Sequence, residues 1–216
     1  MPTPTLDPAY RKIECSLVLI DLSGFTQLLY QASIKEEQMR TVVLGMTRLF
    51  NESVKAAKSA SDIHVINTTG DGFIAIATGT TPSRAALRYA QEVQAHFKHY
   101  VRSVLNSLPF RQRVDLRIAL HHGTVYEINI EGVANGGLPL YIGDDINLIA
   151  RVINSQVARR HGVALTRAFY RRLMKTKADA PSADEVILDR NRYPEQIEIY
   201  RLPKEIPEHK AKNDKA

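Results

Sequence analysis

Asp62-Ile-His-Val-Ile-Asn-Thr-Thr-Gly-Asp-Gly-Phe-Ile-Ala-Ile-Ala-Thr78 is the stretch around which the rest of the chain arranges itself. Asp62 to Asn67 and Gly72 to Thr78 are β-prone runs, and Thr-Thr-Gly-Asp-Gly lies between them. Asp-Gly flanked by such runs is a strong short-range signal for a hairpin. On the N-terminal side, apolar residues at Val42, Met46, Leu49, Phe50, Val54 and Ala57 recur at the spacing of one buried helix face. Before them, Ile13 to Asp21 is short, dense in Leu, Val and Ile, and stopped by Ser-Gly, the pattern of a strand buried on both faces. On the C-terminal side, Pro82 opens a helix carried by Ala86, Tyr89, Val93 and Phe97, and Val114 to His121 is another apolar strand. Strand, helix, hairpin, helix, strand is the order of a split βαβ unit. The sequence therefore predicts an α+β fold with a ferredoxin-like sheet.

A C-terminal α/β extension follows. Gly132 to Gly137 marks a loop, Asp144 to Ala158 reads as one helix after Gly143, and Gly162 to Leu165 reads as a strand. A short helix to about Met174 and strands near Val186 and from Ile197 to Leu202 complete the pattern. Residues 1–11 hold three prolines and read as a flexible N-terminal segment, 12–202 as one domain, and 203–216 as a basic flexible tail.

With 216 residues, 44% of them hydrophobic and 24% charged, the chain is long enough for a sizeable core and is not disordered throughout. No apolar run approaches the roughly 18 residues that span a bilayer. Met1-Pro-Thr-Pro-Thr lacks the basic and hydrophobic regions of a signal peptide. A lone Cys15 excludes a disulfide framework and fits a reducing cytoplasm, where it reads as a buried core thiol. The net charge is +6, and residues 151–175 contain seven Arg or Lys and no Asp or Glu. Such a block suits nucleic acid, an acidic membrane surface, a polyphosphate ligand or simply a solvated helix face. No zinc spacing or RNP-like aromatic motif favours nucleic acid.

Asp21 ends the first strand and Asp71 sits in the hairpin turn. In a split βαβ sheet the first strand lies beside that hairpin, so the two carboxylates converge at one edge. Such a pair is costly without a cation, and hard divalent ions with oxygen ligands suit it. Between them, Ser23-Gly24-Phe25-Thr26 opens a helix whose free N–H groups make a phosphate site. Singly, Asp21 or Ser23 reads as a helix cap and Asp71-Gly72 as a turn. Together they point to a metal–phosphate site. His121 and His122 are adjacent, so on a strand they face opposite ways and cannot form a two-histidine clamp.

Four segments, in order, resemble the class III nucleotidyl cyclases, the adenylyl and guanylyl cyclase catalytic domain. They are Leu19-Ile-Asp-Leu-Ser-Gly-Phe-Thr26, Thr69-Gly-Asp-Gly-Phe73, Leu116-Arg-Ile-Ala-Leu-His-His-Gly123 and Tyr141-Ile-Gly-Asp-Asp-Ile-Asn-Leu-Ile-Ala-Arg151. The resemblance implies that Asp21, Asp71 and the Leu22 carbonyl hold two divalent ions (Mn²⁺ or Mg²⁺). It implies that Ser23, Gly24, Phe25 and Thr26 cradle a triphosphate, that Asn147 holds the ribose, and that Arg151 stabilises the transition state. Arg117 would touch the terminal phosphates. So would Arg190 or Arg192, which stand where family members carry a phosphate-binding Lys. It further implies a homodimer in which the metal half and the Asn147/Arg151 half of each site come from opposite protomers.

The base-reading positions depart from the family's purine patterns. Adenylyl cyclases typically place Lys four residues before the second metal Asp and guanylyl cyclases Glu; here it is Asn67. The second position, seven before the helix Asn, is usually Asp or Thr for adenine and Cys for guanine; here it is Leu140. Phe50 could border the base or serve the core. Cyclases with altered base pockets resemble the Pycsar antiphage enzymes, which make cyclic UMP or cyclic CMP for a separate effector to read. The expectation is a cytoplasmic pyrimidine cyclase, UTP favoured over CTP, without nucleic-acid binding or membrane insertion. The competing readings are a conventional adenylyl cyclase with an unusual pocket and a nucleotide-binding regulatory domain without catalysis.

Overall fold

A computed structural model of the chain describes residues 10–60, 62–130, 138–174, 182–187 and 196–203. The first half runs β1 (Tyr10–Ser23), α1 (Phe25–Ala32), α2 (Glu36–Ser59), β2 (Ile63–Thr68), β3 (Gly72–Ala77), α3 (Pro82–Ser107) and β4 (Asp115–Ile130). The second half runs β5 (Leu138–Ile142), α4 (Asp144–Val152), α5 (Gln156–His161), β6 (Val163–Thr166), α6 (Arg167–Met174), β7 (Glu185–Ile187) and β8 (Ile197–Arg201).

The strands form one eight-stranded sheet in the order β2-β3-β1-β4-β6-β8-β7, with β5 paired to β4. Its β4-β1-β3-β2 part is the ferredoxin-like arrangement, with β1 central and antiparallel to both neighbours. The extension adds β6 parallel to β4, then β8 and β7 antiparallel. Alternation along each strand splits the core in two. Val18, Ile20, Leu22, Phe73 and Leu120 pack with α1, α2, α3 and α6. Leu17, Leu19, Ile74, Ile76 and Ala119 pack with α4 and α5. Burial on both faces is why these strands read as continuous apolar runs. Cys15 lies in the second cluster with no exposed surface, and burial pushes its thiol up to about 12.

Three boundaries differ from the sequence reading. β1 begins at Tyr10 rather than Ile13, because a long β4 runs beside it in unbroken register from Tyr10↔Ile128 to Ser23↔Asp115. β4 itself continues past His121 to Ile130, where polar residues alternate with apolar ones and β5 supplies the second edge. The helix expected over 144–158 is two helices. Asn154 Nδ2 donates to the Ala150 carbonyl at 3.0 Å and closes α4, and the Ser155 Oγ accepts the Ala158 N–H at 3.1 Å and opens α5. The bend keeps Val152, Ile153, Val157 and Ala158 all buried. The expected loop at 132–137 and residues 1–9 and 204–216 lie outside the described residues. Among the described residues, no helix is long and apolar enough to cross a membrane.

Candidate active site

The register of β1 sets Asp21 opposite Gly72 on one side and Arg117 on the other. Asp21 shares its strand face with Leu17 and Leu19, and Asp71 stands one residue before its partner Gly72. Gly70, at φ +87°, turns the hairpin, and the Thr69 N–H donates to the Gly72 carbonyl at 2.9 Å. Gly72 is required by space: a Cβ there would lie 2.1 Å from the Ile20 carbonyl oxygen. The two carboxylates do converge. Burial, followed by the charge of Asp21, pushes the Asp71 carboxyl above the usual carboxylate range. Arg117 offsets this charge by donating to Asp21 Oδ2 from Nη2 and, at 3.1 Å, from Nε. The guanidinium expected on the terminal phosphates thus sits on the Asp21 carboxylate.

Gly24, at φ +82°, caps the N-terminus of α1. A Cβ at Gly24 would lie 2.3 Å from the Arg113 carbonyl, so the loop presses against the chain entering β4. No acidic side chain occupies the first turn of α1, and Ser23 and Thr26 remain partly or fully accessible. The first N–H groups of the helix therefore face their surroundings without a carboxylate in competition.

Asn147 and Arg151 lie one turn apart on α4, Asn147 exposed and Arg151 half-buried. What holds this helix to the sheet is a chain of polar contacts that sequence reasoning missed. His121 Nε2 meets Asp145 Oδ1 at 2.9 Å, and its Nδ1 meets Thr166 Oγ1 at 2.8 Å. The Thr124 N–H donates to Asp145 Oδ2 at 2.6 Å. Burial works against the Asp145 charge, but the His121 hydrogen bond and the Thr124 amide hold its carboxyl below the usual range. Gly123 makes room for this packing, since a Cβ there would lie 2.1 Å from Asp145 Oδ2. The signal was present as His121 two residues before Gly123, with Asp145 two before Asn147. The two histidines do face opposite ways: His122 Nδ1 contacts the Ser16 Oγ at 3.0 Å.

Asn67 is exposed and pairs with Ile74 across a β-bulge in β2, on the α4-covered face. Leu140 is exposed on β5, a strand that lies against β2. Phe50 does not join them. Its ring packs edge-on against Phe73, centroids 5.9 Å apart, on the opposite face of the sheet. Core packing is the role its geometry supports. Arg190 and Arg192 lie outside the described residues.

The profile of the Adenylate and Guanylate cyclase catalytic domain matches residues 8–203. The chain belongs to that family. Solved structures with the same fold include the adenylyl cyclase CyaB from P. aeruginosa, at TM-score 0.72 and 16% identity over 91% of this chain and 97% of that one. The guanylyl cyclase Cya2 matches at TM-score 0.66 and 15% identity, over 89% of this chain and 92% of that one. A bacterial light-regulated adenylyl cyclase matches at TM-score 0.65 and 17% identity, over 94% of this chain but 55% of that longer one. No curated protein sequence matches.

Class III cyclase domains use divalent metals, and the oxygen donors here fit such ions. Two converging carboxylates, one of them pushed up by burial and then by the other's charge, form a site that suits a hard cation. Among the described residues no group of three or more His, Cys, Asp and Glu gathers. The remaining ligands of a cation at this cyclase site would come from backbone and substrate oxygens, the usual habit of Mg²⁺ with phosphates.

Proposed function

We propose that this cyclase domain converts a pyrimidine nucleoside triphosphate, UTP ahead of CTP, to its 3′,5′-cyclic nucleotide and diphosphate. The observation that carries the choice of base is the orientation of Asn67. Its Oδ1 accepts the Thr68 N–H at 2.8 Å, and that fixed donor leaves Nδ2 as the outward edge. A donor complements O4 of uracil and opposes the exocyclic amino groups of cytosine and adenine. Guanine shares the acceptor but adds an amino group, which the apolar Leu140 leaves unpaired.

In the reaction, the ribose 3′-oxygen bonds to the α-phosphorus, the bond to the α,β-bridging oxygen breaks, and the hydroxyl proton passes to water. Asp21, Asp71 and the Leu22 carbonyl would hold two Mn²⁺ or Mg²⁺ ions, which lower the hydroxyl pKa and neutralise phosphate charge when bound. The segment Ser23 to Thr26 orients the triphosphate through its N–H groups. Asn147 positions the ribose, and Arg151 stabilises charge developing on the α-phosphate. Arg117 borders the cleft beside Ser23, which supports a contact with terminal phosphates, shared with Arg190 or Arg192. A homodimer completes each site, with Asp21 and Asp71 from one protomer and Asn147 and Arg151 from its partner. The product acts in the cytoplasm as a second messenger of Pycsar-type antiphage defence, read by a separate cyclic-nucleotide-binding effector.

The test is incubation of purified protein with each of the four nucleoside triphosphates and Mn²⁺, with products resolved by mass spectrometry. Cyclic UMP is the expected major product. Cyclic AMP as sole product would overturn the choice of base, and no cyclic product from any substrate would make the chain a nucleotide-binding regulator.

A further inference from the structure

The basic block leaves Arg159 and Arg160 without a task in the scheme above. Both lie in the last turn of α5 and are exposed. They are more than one helix's surface, because they line a concave space together with side chains from other elements. A cleft of about 250 Å³ opens between α3, the start of β4 and α5, with Lys98, Arg113 and Arg117 on its other walls. Ser23, the first residue of the phosphate-binding segment, also lines it. The contact between Gly24 and the Arg113 carbonyl fixes how close the loop and the cleft lie.

Charge decides what this space can hold. Among the described residues that line it the one carboxylate is Asp115, which accepts from Arg113 Nε at 2.6 Å, and Arg117 is engaged by Asp21. Lys98, Arg159 and Arg160 have no carboxylate partner among the described residues. Three cations with no carboxylate partner among the described residues, brought to one concavity from α3 and α5, favour a compact, multiply charged anion. The phosphate segment therefore has unlike flanks, with the carboxylates Asp21 and Asp71 on the β3 side and these cations on the β4 side.

We propose that this cleft is a subsite for inorganic diphosphate, which it receives as the leaving group at the far end of the phosphate segment. The assignment rests on the cyclase reading and adds the residues that handle the second product. A diphosphate leaving along this flank passes from the cation-bearing carboxylate end to side-chain cations, so its charge stays countered as it departs. Diphosphate in solution should occupy the same place and compete with the triphosphate tail.

The test is calorimetric titration of the full chain with inorganic diphosphate, beside a Lys98→Ala/Arg159→Ala/Arg160→Ala variant whose circular dichroism and melting match the parent. The variant should lose about tenfold or more in diphosphate affinity while keeping its affinity for a nucleoside monophosphate. The concentration of diphosphate that halves cyclase activity should rise by a similar factor. Equal diphosphate affinity in the two proteins would overturn the subsite, and so would an equal loss of monophosphate binding. A short single-stranded oligonucleotide displacing diphosphate at matched phosphate concentration would overturn it in favour of nucleic acid. Should the triple variant fail to match the parent in folding, Arg159→Gln and Lys98→Gln singly carry the same comparison. Because the titration needs no turnover, its outcome is independent of which nucleotide the enzyme cyclises.

Discussion

Burial and the nearby Asp21 charge raise the Asp71 carboxyl above its ordinary range, so its ionised form strains the fold. The unfolded chain releases this proton at lower pH than the folded one. The penalty therefore develops as pH rises from the ordinary carboxylate value through the raised one, and persists above it. Asp71→Asn should remove it. In EDTA at neutral pH the variant should melt about 1–3 °C higher than the parent, and the gain should vanish below the ordinary carboxylate range. Turnover should fall about 100-fold or more, measured as cyclic nucleotide formed with Mn²⁺. Asp145 makes the opposite case, since its charge is used by the fold. Asp145→Ala leaves His121 Nε2 and the Thr124 N–H without their partner and should cost about 1–3 kcal/mol in urea unfolding. It should also lower kcat, because α4 carries Asn147 and Arg151. Asp145→Asn, with one acceptor oxygen in place of two, should fall between. Motif spacing made Asp21 and Asp71 legible in the sequence. The Arg117–Asp21 pair was not, because it depends on a register across residues 96 apart.

Among the elements, the hairpin and the buried strands were readable because their signals are local: Asp71-Gly72, and unbroken apolar runs from Leu17 to Ile20 and from Phe73 to Ala77. The break between α4 and α5 was not, because Val152, Ile153, Val157 and Ala158 keep one helix's periodicity while Asn154 and Ser155 act through side-chain caps. The reach of β4 to Ile130 was hidden for a different reason. Its pairing partners, the start of β1 and β5, supply what apolar content does not. The contact between α2 and α3 illustrates a third kind of information, shape. Gly45 lies where a Cβ would come 2.0 Å from Val104 Cγ2. Gly45→Ala should therefore destabilise by about 1–3 kcal/mol through overpacking, despite alanine's better helix propensity. Val104→Ala in the same chain opens the space and should recover most of that loss. A double-mutant cycle by urea unfolding measures the coupling, and additive effects would mean that the two helices adjust elsewhere.

At the scale of the whole molecule, the carboxylate pair stands where β1 meets the β2–β3 hairpin, whereas Asn147 and Arg151 stand on α4, a separate element that packs on the sheet face Asp21 shares with Leu17 and Leu19. No hydrogen bond among the described residues joins Asn147 to Asp21 or Asp71. The large apolar residues Leu140 and Ile142 are exposed on β5, beside this face, as a chain with a partner would have them. If the two halves of each site come from opposite protomers, inactivation should be complementable between chains. Asp71→Ala and Arg151→Ala should each be inactive as homodimers. A heterodimer of the two has one site built from the intact halves and one site defective in both. Random exchange at equal concentrations makes about half the dimers heterodimers, each with one working site of two, so activity should return to about a quarter of the parent's. Native mass spectrometry of isotopically labelled chains reports whether exchange has occurred. Activity that stays at background after exchange would mean that each protomer builds its site alone.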